Sequence, residues 1–461
     1  MCGICGQVNA DRSRAVDRAV LERMNAALRH RGPDSDGFYL SGGIGLAMRR
    51  LAIIDLSTGD QPLSNEDGSI WIVFNGEIYN FPELRSELEK RDHVFRTRSD
   101  TETIVHGYEE YGDEVVNKLN GMFAFAIWDA RRQRLLLARD RIGKKPLYYY
   151  HDGERLIFAS ELKALLQEST LPRRISLPAL WHYLTLQYVP DPLTIFEGIY
   201  KLPPAHTLAW HAGQFQLRRY WDLCYEPKLT PGEDELMAMA RESLARAARM
   251  RLISEVPLGA FLSGGIDSSI VVGLMAEASS APVKTFSIGF EEEAFSELPH
   301  ARAVAKKFQT DHHEFVVRYS DALESLPALA RALDEPFADS SALPTYYLSH
   351  LPRQHVTVAL NGDGGDETFA GYQRYLLDRH TRLYSALPAW LTQRLLPAMV
   401  APLSESVDVT IEANVIAGLK RLSQVAAITP QASIVRWGSY FSDEMKAELC
   451  APAVTESLNG L

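Results

Sequence analysis

Cysteine is scarce in this 461-residue chain. The four present, Cys2, Cys5, Cys224 and Cys450, are too few and too scattered for a disulfide framework, which fits a reducing cytoplasm. No uninterrupted apolar run is long enough to span a bilayer. The N-terminus lacks a charged stretch followed by an apolar one, so no secretory signal is expected. Positive charge is not in excess: the formal net charge is −11, which removes any chain-wide basis for binding nucleic acid or an anionic membrane. Low-complexity segments and internal repeats are missing, which argues against a linker-like chain or a solenoid. The Walker pattern G-x-x-x-x-G-K-S/T is missing too. What remains is globular, 46% hydrophobic and 23% charged, with length for roughly two or three domains.

The stretch with most chemical content is Ser263-Gly264-Gly265-Ile266-Asp267-Ser268-Ser269. Before it, Leu258 to Leu262 reads as a buried strand; after it, a helical pattern runs through Met275 and Ala276. Glycines let a backbone approach an anion, serine hydroxyls donate to it, and a helix N-terminus adds a favourable dipole. Asp267 at that N-terminus is placed to hold Mg²⁺ rather than the anion. A Gly-rich turn with a Ser/Asp cap is the plainer alternative.

The chain begins Met1-Cys2-Gly3-Ile4-Cys5. Cys2 is small enough for Met1 to be trimmed. A thiol and a free α-amine would then share one residue, and the amine could take the thiol proton. Cys2 and Cys5 could instead be half of a zinc site, but no second pair follows at ligand spacing. They could be a redox pair, but no thioredoxin-like pattern follows. Val16 to Leu28 reads as an amphipathic helix, Arg29 to Gly37 as a polar loop, and Gly45 to Leu56 as a strand carrying Arg49 and Arg50. Ile70 to Phe74 reads as a strand stopping at Asn75-Gly76-Glu77-Ile78-Tyr79-Asn80. Helices are expected over Phe81–Lys90 and Thr101–Tyr111, the second capped by Ser99-Asp100. Strands are expected at Met122–Trp128, Leu135–Arg139, Leu147–Tyr150 and Leu156–Ala159, and a hairpin around Ala212-Gly213. Many antiparallel strands with few helices suggest two stacked sheets covered by helices.

Cys2-Gly3-Ile4, Arg29-His30-Arg31-Gly32-Pro33-Asp34, Asn75 to Asn80 and Gly121-Met122-Phe123-Ala124-Phe125 together resemble the class II glutamine amidotransferases, whose N-terminal cysteine attacks the side-chain amide of glutamine. The resemblance covers about the first two hundred residues. It implies an α+β N-terminal-nucleophile sandwich of αββα layers. By the same resemblance Cys2 is the nucleophile, and the Asn75 side chain and Gly76 N–H form the oxyanion hole. Arg50 would hold the α-carboxylate of glutamine, and Glu77 and Asp100 its α-ammonium. A surface strand arginine and a plain helix cap are the alternatives for Arg50 and Asp100.

The turn-rich segment 222–232 reads as a linker between a domain over 2–221 and one over 233–461. Beyond a long helix at Glu233–Leu252, strands and helices alternate, which argues a parallel sheet with helices on both faces. Strands are expected at Val283–Phe290, His313–Val317 and His355–Leu360. The last runs into Asn361-Gly362-Asp363-Gly364-Gly365-Asp366-Glu367. Asp267, Asp363 and Asp366 are natural oxygen ligands for Mg²⁺ beside a pyrophosphate. A surface turn or a calcium loop is the alternative, but the EF-hand spacing is missing.

Ser263 to Ser269 resembles the pyrophosphate loop of N-type ATP pyrophosphatases, which implies an α/β, adenine nucleotide α-hydrolase-like domain. Together with Asp334-Glu335-Pro336-Phe337, Asn361 to Glu367 and Gly371-Tyr372, the chain resembles the glutamine-hydrolysing asparagine synthetases through about Tyr375. That family adenylates the β-carboxylate of aspartate with ATP, releases pyrophosphate and passes ammonia through an internal tunnel to the adenylate. The resemblance implies ATP as co-substrate, Mg²⁺, glutamine and aspartate as substrates, and a homodimer. It places Leu262 and Ile288 beside adenine and ribose, and Asn361 and Gly362 at the nucleotide. Two departures stand out. The family often has Ser-Gly where this chain has Asn361-Gly362, and Glu where it has Asp363. Past Tyr375 the family's lysine-bearing helical region is not recognisable, although 380–461 reads as mostly helical, and a truncated chain is expected. An amidotransferase acting on another carboxylate, such as one in a cell-surface polysaccharide, and a glutaminase-only or inactive fragment are the competing readings.

Overall fold

Strict alternation builds the first architecture. In Gly121–Asp129, Phe123, Phe125 and Ile127 face one apolar core, while Ala124, Ala126 and Trp128 face another. A strand buried on both faces must lie between layers. The computed structural model describes residues 1–291, 296–372, 375, 387–388, 390–400, 402, 420 and 439–458. Over residues 1–219 the strands are β1 (Gly3–Asn9), β2 (Ser35–Ser41), β3 (Ile44–Arg50), β4 (Leu63–Ser64), β5 (Ile70–Ile78), β6 (Gly121–Asp129), β7 (Arg134–Arg139), β8 (Tyr148–His151), β9 (Arg155–Ala159), β10 (Ile199–Lys201), β11 (His206–His211) and β12 (Gln214–Arg219). They form two six-stranded antiparallel sheets, ordered β10-β8-β9-β1-β3-β2 and β12-β11-β7-β6-β5-β4.

The helices here are α1 (Arg18–Ala27), α2 (Phe81–Glu89), α3 (Asp100–Tyr111), α4 (Val115–Lys118), α5 (Leu162–Leu165) and α6 (Leu177–Leu186). Ile4, Val8, Leu46 and Met48 of the first sheet meet Val73, Ala126, Trp128 and Leu137 of the second in one core. The outer face of the second sheet, with Ile72, Phe74 and Phe125, packs on Leu84 of α2 and Ile104, Val105 and Tyr108 of α3. The outer face of the first, with Cys5, Ala47 and Ile157, packs on Leu21 and Met24 of α1 and Leu162 and Leu165 of α5. The layers therefore run helix, sheet, sheet, helix, as expected for an αββα sandwich.

Further along come α7 (Glu233–Arg251), β13 (Leu258–Phe261), α8 (Ile266–Ala278), β14 (Lys284–Phe290), α9 (Leu298–Phe308), β15 (Asp311–Val317), α10 (Tyr319–Leu333), α11 (Ala342–His350) and β16 (Val358–Leu360). The four strands form a parallel sheet in the order β15-β14-β13-β16. Its core joins Ala260 and Leu262 to Val272 and Met275 of α8 and Ala301 and Ala305 of α9. Leu262, Ile288 and Asn361 all lie at or just past carboxyl ends of adjacent strands, where ligands of open α/β sheets collect.

Two compact units divide the chain, one of residues 1–179 and 189–361, the other of 180–188 and 362–461. The first holds both the sandwich and the parallel sheet. Within it, the Glu255 carboxylate accepts the N–H groups of Asp55 and Leu56 at 3.1 and 3.4 Å. Lys163 pairs with Asp334 at 2.9 Å and Lys201 with Glu335 at 2.5 Å. The second unit contains α12 (Gly365–Phe369), and Lys446 there donates to Thr185 Oγ1 at 2.8 Å and lies over the Trp181 ring. Among the described residues no helix is long and apolar enough to cross a membrane.

Several sequence expectations need correction. The strand expected to stop at Phe74 continues to Ile78, because Asn75, Gly76 and Glu77 pair with Ala124, Phe123 and Met122 of β6. Asn-Gly signals a turn in isolation, and a neighbouring strand overrides it. The polar loop ending at Gly37 gives way at Ser35 to β2, whose register with β3 outweighs its polarity. The strand expected over Gly45–Leu56 ends at Arg50. Helix α6 and strand β10 had no clear sequence signal. The expected helices of 380–461 lie largely outside the described residues, although Leu396–Val400, Asp443–Leu449 and Pro452–Ser457 are helical.

Candidate active site

Antiparallel pairing brings distant residues to one pocket. β1 lies beside β3, so Cys2, just before β1, meets the residues that follow Arg50. Leu51 N–H approaches Cys2 Sγ at 3.4 Å, and the thiol lies 3.7 Å from Leu51 O. β5 delivers Asn75, Gly76 and Glu77, and the start of α3 delivers Asp100. Met1, Cys2, Arg50, Asn75, Gly76, Glu77, Asp100 and Lys145 line this one cavity. The six residues expected at the glutamine site are thus brought together.

Each is held by identifiable partners. Arg50 is buried, and its guanidinium donates to Asp60 Oδ1 at 2.9 Å, Ile54 O at 3.1 Å and Asp55 O at 2.6 Å. A side chain on Gly59 would place Cβ 2.4 Å from Arg50 Nη2, so the arginine needs glycine there. The Arg-Gly-Pro-Asp loop acts through backbone proximity. A Cβ on Gly32 would meet the Arg49 carbonyl carbon at 2.3 Å, and Asp34 Oδ2 accepts the Ala52 N–H at 2.9 Å. Arg31 donates to Cys2 O at 2.8 Å and pairs with Glu161 at 2.8 Å. A Cβ on Gly76 would meet Met122 O at 2.1 Å.

Asn75 is fully buried, yet neither its Oδ1 nor its Nδ2 has a hydrogen-bond partner among the described residues. A buried unpaired amide is costly unless something else completes it. Asp100 Oδ2 accepts the Ile78 N–H at 2.9 Å, while Ser99 supplies the helix cap by accepting from Thr101 N–H. Burial, reinforced by the charge of Asp100, pushes Glu77 up to about 7. Burial also pushes Asp100 up to about 6, the Cys2 thiol above its ordinary value, Lys145 down to about 8 and the Met1 amine down to about 5.

Sequence reasoning missed Lys145, whose Nζ lies 2.9 Å from Met1 Sδ. The available signal was a basic loop, Arg139 to Lys145, between two buried strands. It also missed Gln61, which accepts the Phe74 N–H at 2.7 Å and donates to Thr101 Oγ1 at 3.1 Å, joining β5 to α3.

The second group of predicted residues surrounds the start of α8. Gly264 sits at φ +86°, and a Cβ there would meet Ala301 N at 2.5 Å. Ser263 Oγ accepts the Gly265 N–H at 3.1 Å and lies 3.0 Å from Ser268 Oγ. Ser269 Oγ donates to Gly265 O at 2.6 Å. The helix ladder starts with Ser269 N–H to Gly265 O, which leaves the N–H groups of Ile266, Asp267 and Ser268 outside it. Leu262 is buried; its carbonyl accepts from Ser287 Oγ and its N–H donates to Phe286 O at 2.9 Å. Ile288 stands two residues beyond Phe286, which pairs with Phe261. Asn361 ends the first unit, whereas Gly362, Asp363 and Asp366 belong to the second. Within that unit Asp366 lies in the first turn of the short helix α12 and against Gly371, where a Cβ would meet its Oδ1 at 2.0 Å.

A glutamine amidotransferase domain model matches residues 1–221, and an asparagine synthase model matches residues 239–437. Glutamine-hydrolysing asparagine synthetase 1 of Bacillus subtilis is 38% identical over 399 residues, 86% of this chain and 63% of its own length. A Methanocaldococcus jannaschii protein to which the same name is provisionally given is also 38% identical, over 85% of this chain and 79% of its own. Among solved structures, the glutamine phosphoribosylpyrophosphate amidotransferase of B. subtilis covers 68% of this chain and 65% of its own, with 17% identity and a TM-score of 0.36, too distant to carry a conclusion. The pocket-bearing part of the chain is thus of the glutamine amidotransferase class. The chain as a whole belongs to the glutamine-hydrolysing asparagine synthetase family, and it spans less than two thirds of the length of the B. subtilis relative.

Proposed function

We propose that this chain hydrolyses glutamine at Cys2 and passes the ammonia to an ATP-activated carboxylate, that of aspartate, giving asparagine, glutamate, AMP and pyrophosphate. The observation that carries the reading is the buried, unpartnered Asn75 amide in the same pocket as Cys2, Arg50, Glu77 and Asp100. Removal of Met1 frees the Cys2 amine. Burial keeps the thiol protonated at rest, so a base is needed, and the amine is the nearest one on the same residue. The thiol proton moves to the amine as sulfur attacks the carboxamide carbon. Asn75 Nδ2 and the Gly76 N–H donate to the oxyanion, and the amine returns the proton to the departing ammonia. Water then releases glutamate from the thioester. Arg50 and the Glu77–Asp100 pair orient glutamine by its two charged ends.

At the second site the loop Ser263 to Ser269, with N–H groups at the start of α8 that lie outside its ladder, suits the phosphates of ATP. Leu262, Ile288 and Asn361, with Gly362, are assigned to the nucleoside side by resemblance. The Asp267 carboxylate in the first turn of α8 suits Mg²⁺, which would neutralise phosphate charge; Asp363 and Asp366 join that role on the sequence resemblance alone. A homodimer and a cytoplasmic location are further parts of this reading. The test is paired. The protein should make glutamate from glutamine, and with ATP and aspartate it should release pyrophosphate. Cys2→Ala should lose both with glutamine and keep pyrophosphate release with ammonium. Unchanged glutamate production by Cys2→Ala would refute the assignment.

A further inference from the structure

Outside the glutamine pocket, four metal-capable side chains converge on one face of α3. Each of Glu66, His93, His106 and Glu109 offers one ligand atom, and these atoms all lie within 4.8 Å of one another. We propose that Glu66, His93, His106 and Glu109 form a binding site for a divalent transition-metal ion of the zinc class, which ties α3 to the β4–β5 turn and to the segment before α3.

Two of four spacings across the cluster match a tetrahedral ion, and the other two bracket that range. His106 Nδ1 lies 2.9 Å from Glu109 Oε2 and 3.6 Å from Glu66 Oε2; His93 Nδ1 lies 3.6 Å from Glu109 Oε2 and 3.9 Å from Glu66 Oε1. Ligands bound at about 2.0–2.2 Å in a tetrahedron stand about 3.3–3.6 Å apart. Both histidines offer Nδ1, and each faces a carboxylate on its other side. His93 Nε2 lies 3.3 Å from Glu110 Oε1, and His106 Nε2 lies 3.6 Å from Glu102 Oε1. At His93 that carboxylate favours the Nε2–H tautomer and leaves the Nδ1 lone pair for the metal; His106 Nε2 makes no hydrogen bond among the described residues, and its Nδ1 shares a proton with Glu109 that a bound ion would displace.

The carboxylates are held as well. Asn65 Nδ2 donates to Glu109 Oε1 at 2.8 Å, and Val94 N–H donates to Glu66 Oε1 at 3.0 Å. The ligands come from three places: Glu66 from the β4–β5 turn, His93 from the segment after α2, and His106 with Glu109 three residues apart on one face of α3. The His106 side chain is 1% exposed and that of Glu66 35%, so an ion can enter from the carboxylate side. The competing arrangement is a proton-bridged cluster of imidazoles and carboxylates with no ion.

The full chain, stripped with chelator and dialysed, is given Zn²⁺ and its bound metal measured. A parallel titration with Co²⁺ follows visible absorption. The expected result is one Zn²⁺ per chain, the absorption of tetrahedral Co²⁺, and a melting temperature raised by Zn²⁺. Glu66→Gln, Glu109→Gln and His93→Gln, all at partly exposed positions, should each lose the stoichiometric ion and the thermal shift while keeping the far-UV spectrum of the stripped parent. No stoichiometric metal in the parent, or metal retained at full stoichiometry in the Glu66→Gln/Glu109→Gln double variant, would overturn the proposal.

Discussion

Asp100 Oδ2 accepts the N–H of Ile78 at 2.9 Å, so the carboxylate that opens α3 is bound to the end of the strand carrying Asn75, Gly76 and Glu77. One residue thereby serves both the fold and the pocket. Asp100→Ala would leave that buried N–H without an acceptor, at a cost of about 1–3 kcal/mol. Asp100→Asn keeps an acceptor and removes only the charge. Chemical denaturation should therefore show the alanine variant destabilised and the asparagine variant close to the parent, while both show a raised KM for glutamine.

If Asn75 serves the oxyanion as proposed, Asn75→Ala should lower kcat for glutamine hydrolysis by about 100- to 1000-fold with little change in KM, because its amide would meet charge that develops only in the transition state. Removing an unpaired buried amide should not destabilise the free protein. Steady-state kinetics beside a thermal melt check both halves.

Gly59→Ala tests the arginine from a distance. Its Cβ would stand 2.4 Å from Arg50 Nη2 and displace the guanidinium. Loss of the proposed charge-assisted contact to the substrate carboxylate should raise KM by roughly 10- to 100-fold, with kcat nearly kept.

The carboxyl pair sets a pH dependence. Burial raises Glu77 to about 7 and Asp100 to about 6. Between the unfolded and folded values the native protein holds protons that the unfolded chain has released. Stability therefore falls as pH rises from about 4.5 to 7 and levels off above. Glu77→Gln should remove about 2–3 kcal/mol of the loss between pH 5 and 8, measured by urea midpoints. Substrate binding moves the other way. An α-ammonium needs ionised partners, so KM for glutamine should fall over the same range in the parent and change less in Glu77→Gln.

Much of this was legible in the sequence, and the reasons differ by element. The β6 alternation and the cap at Ser99 are local signals, and local physics decided them. The strand–loop–helix around Ser263 was equally plain, because the glycines and serines stand at consecutive positions. Asn75-Gly76 misled, since its turn chemistry is local while its pairing with β6 is not. Lys145 was missed because its basic loop, though visible in the sequence, does not announce that it lines the same cavity as Cys2. His93, after α2, and His106, inside α3, carry no local signal of a site; only folding sets them beside Glu66.

The most direct test of the account follows the nitrogen. Glutamine labelled with ¹⁵N at its amide is supplied with ATP and aspartate to the protein, and the products are read by mass spectrometry. The account predicts ¹⁵N in the asparagine amide, with pyrophosphate in equal amount, and no label transfer by Cys2→Ala or by Gly264→Ala, the latter still making glutamate. Labelled ammonia accumulating with glutamate, and no pyrophosphate or labelled asparagine, would contradict it.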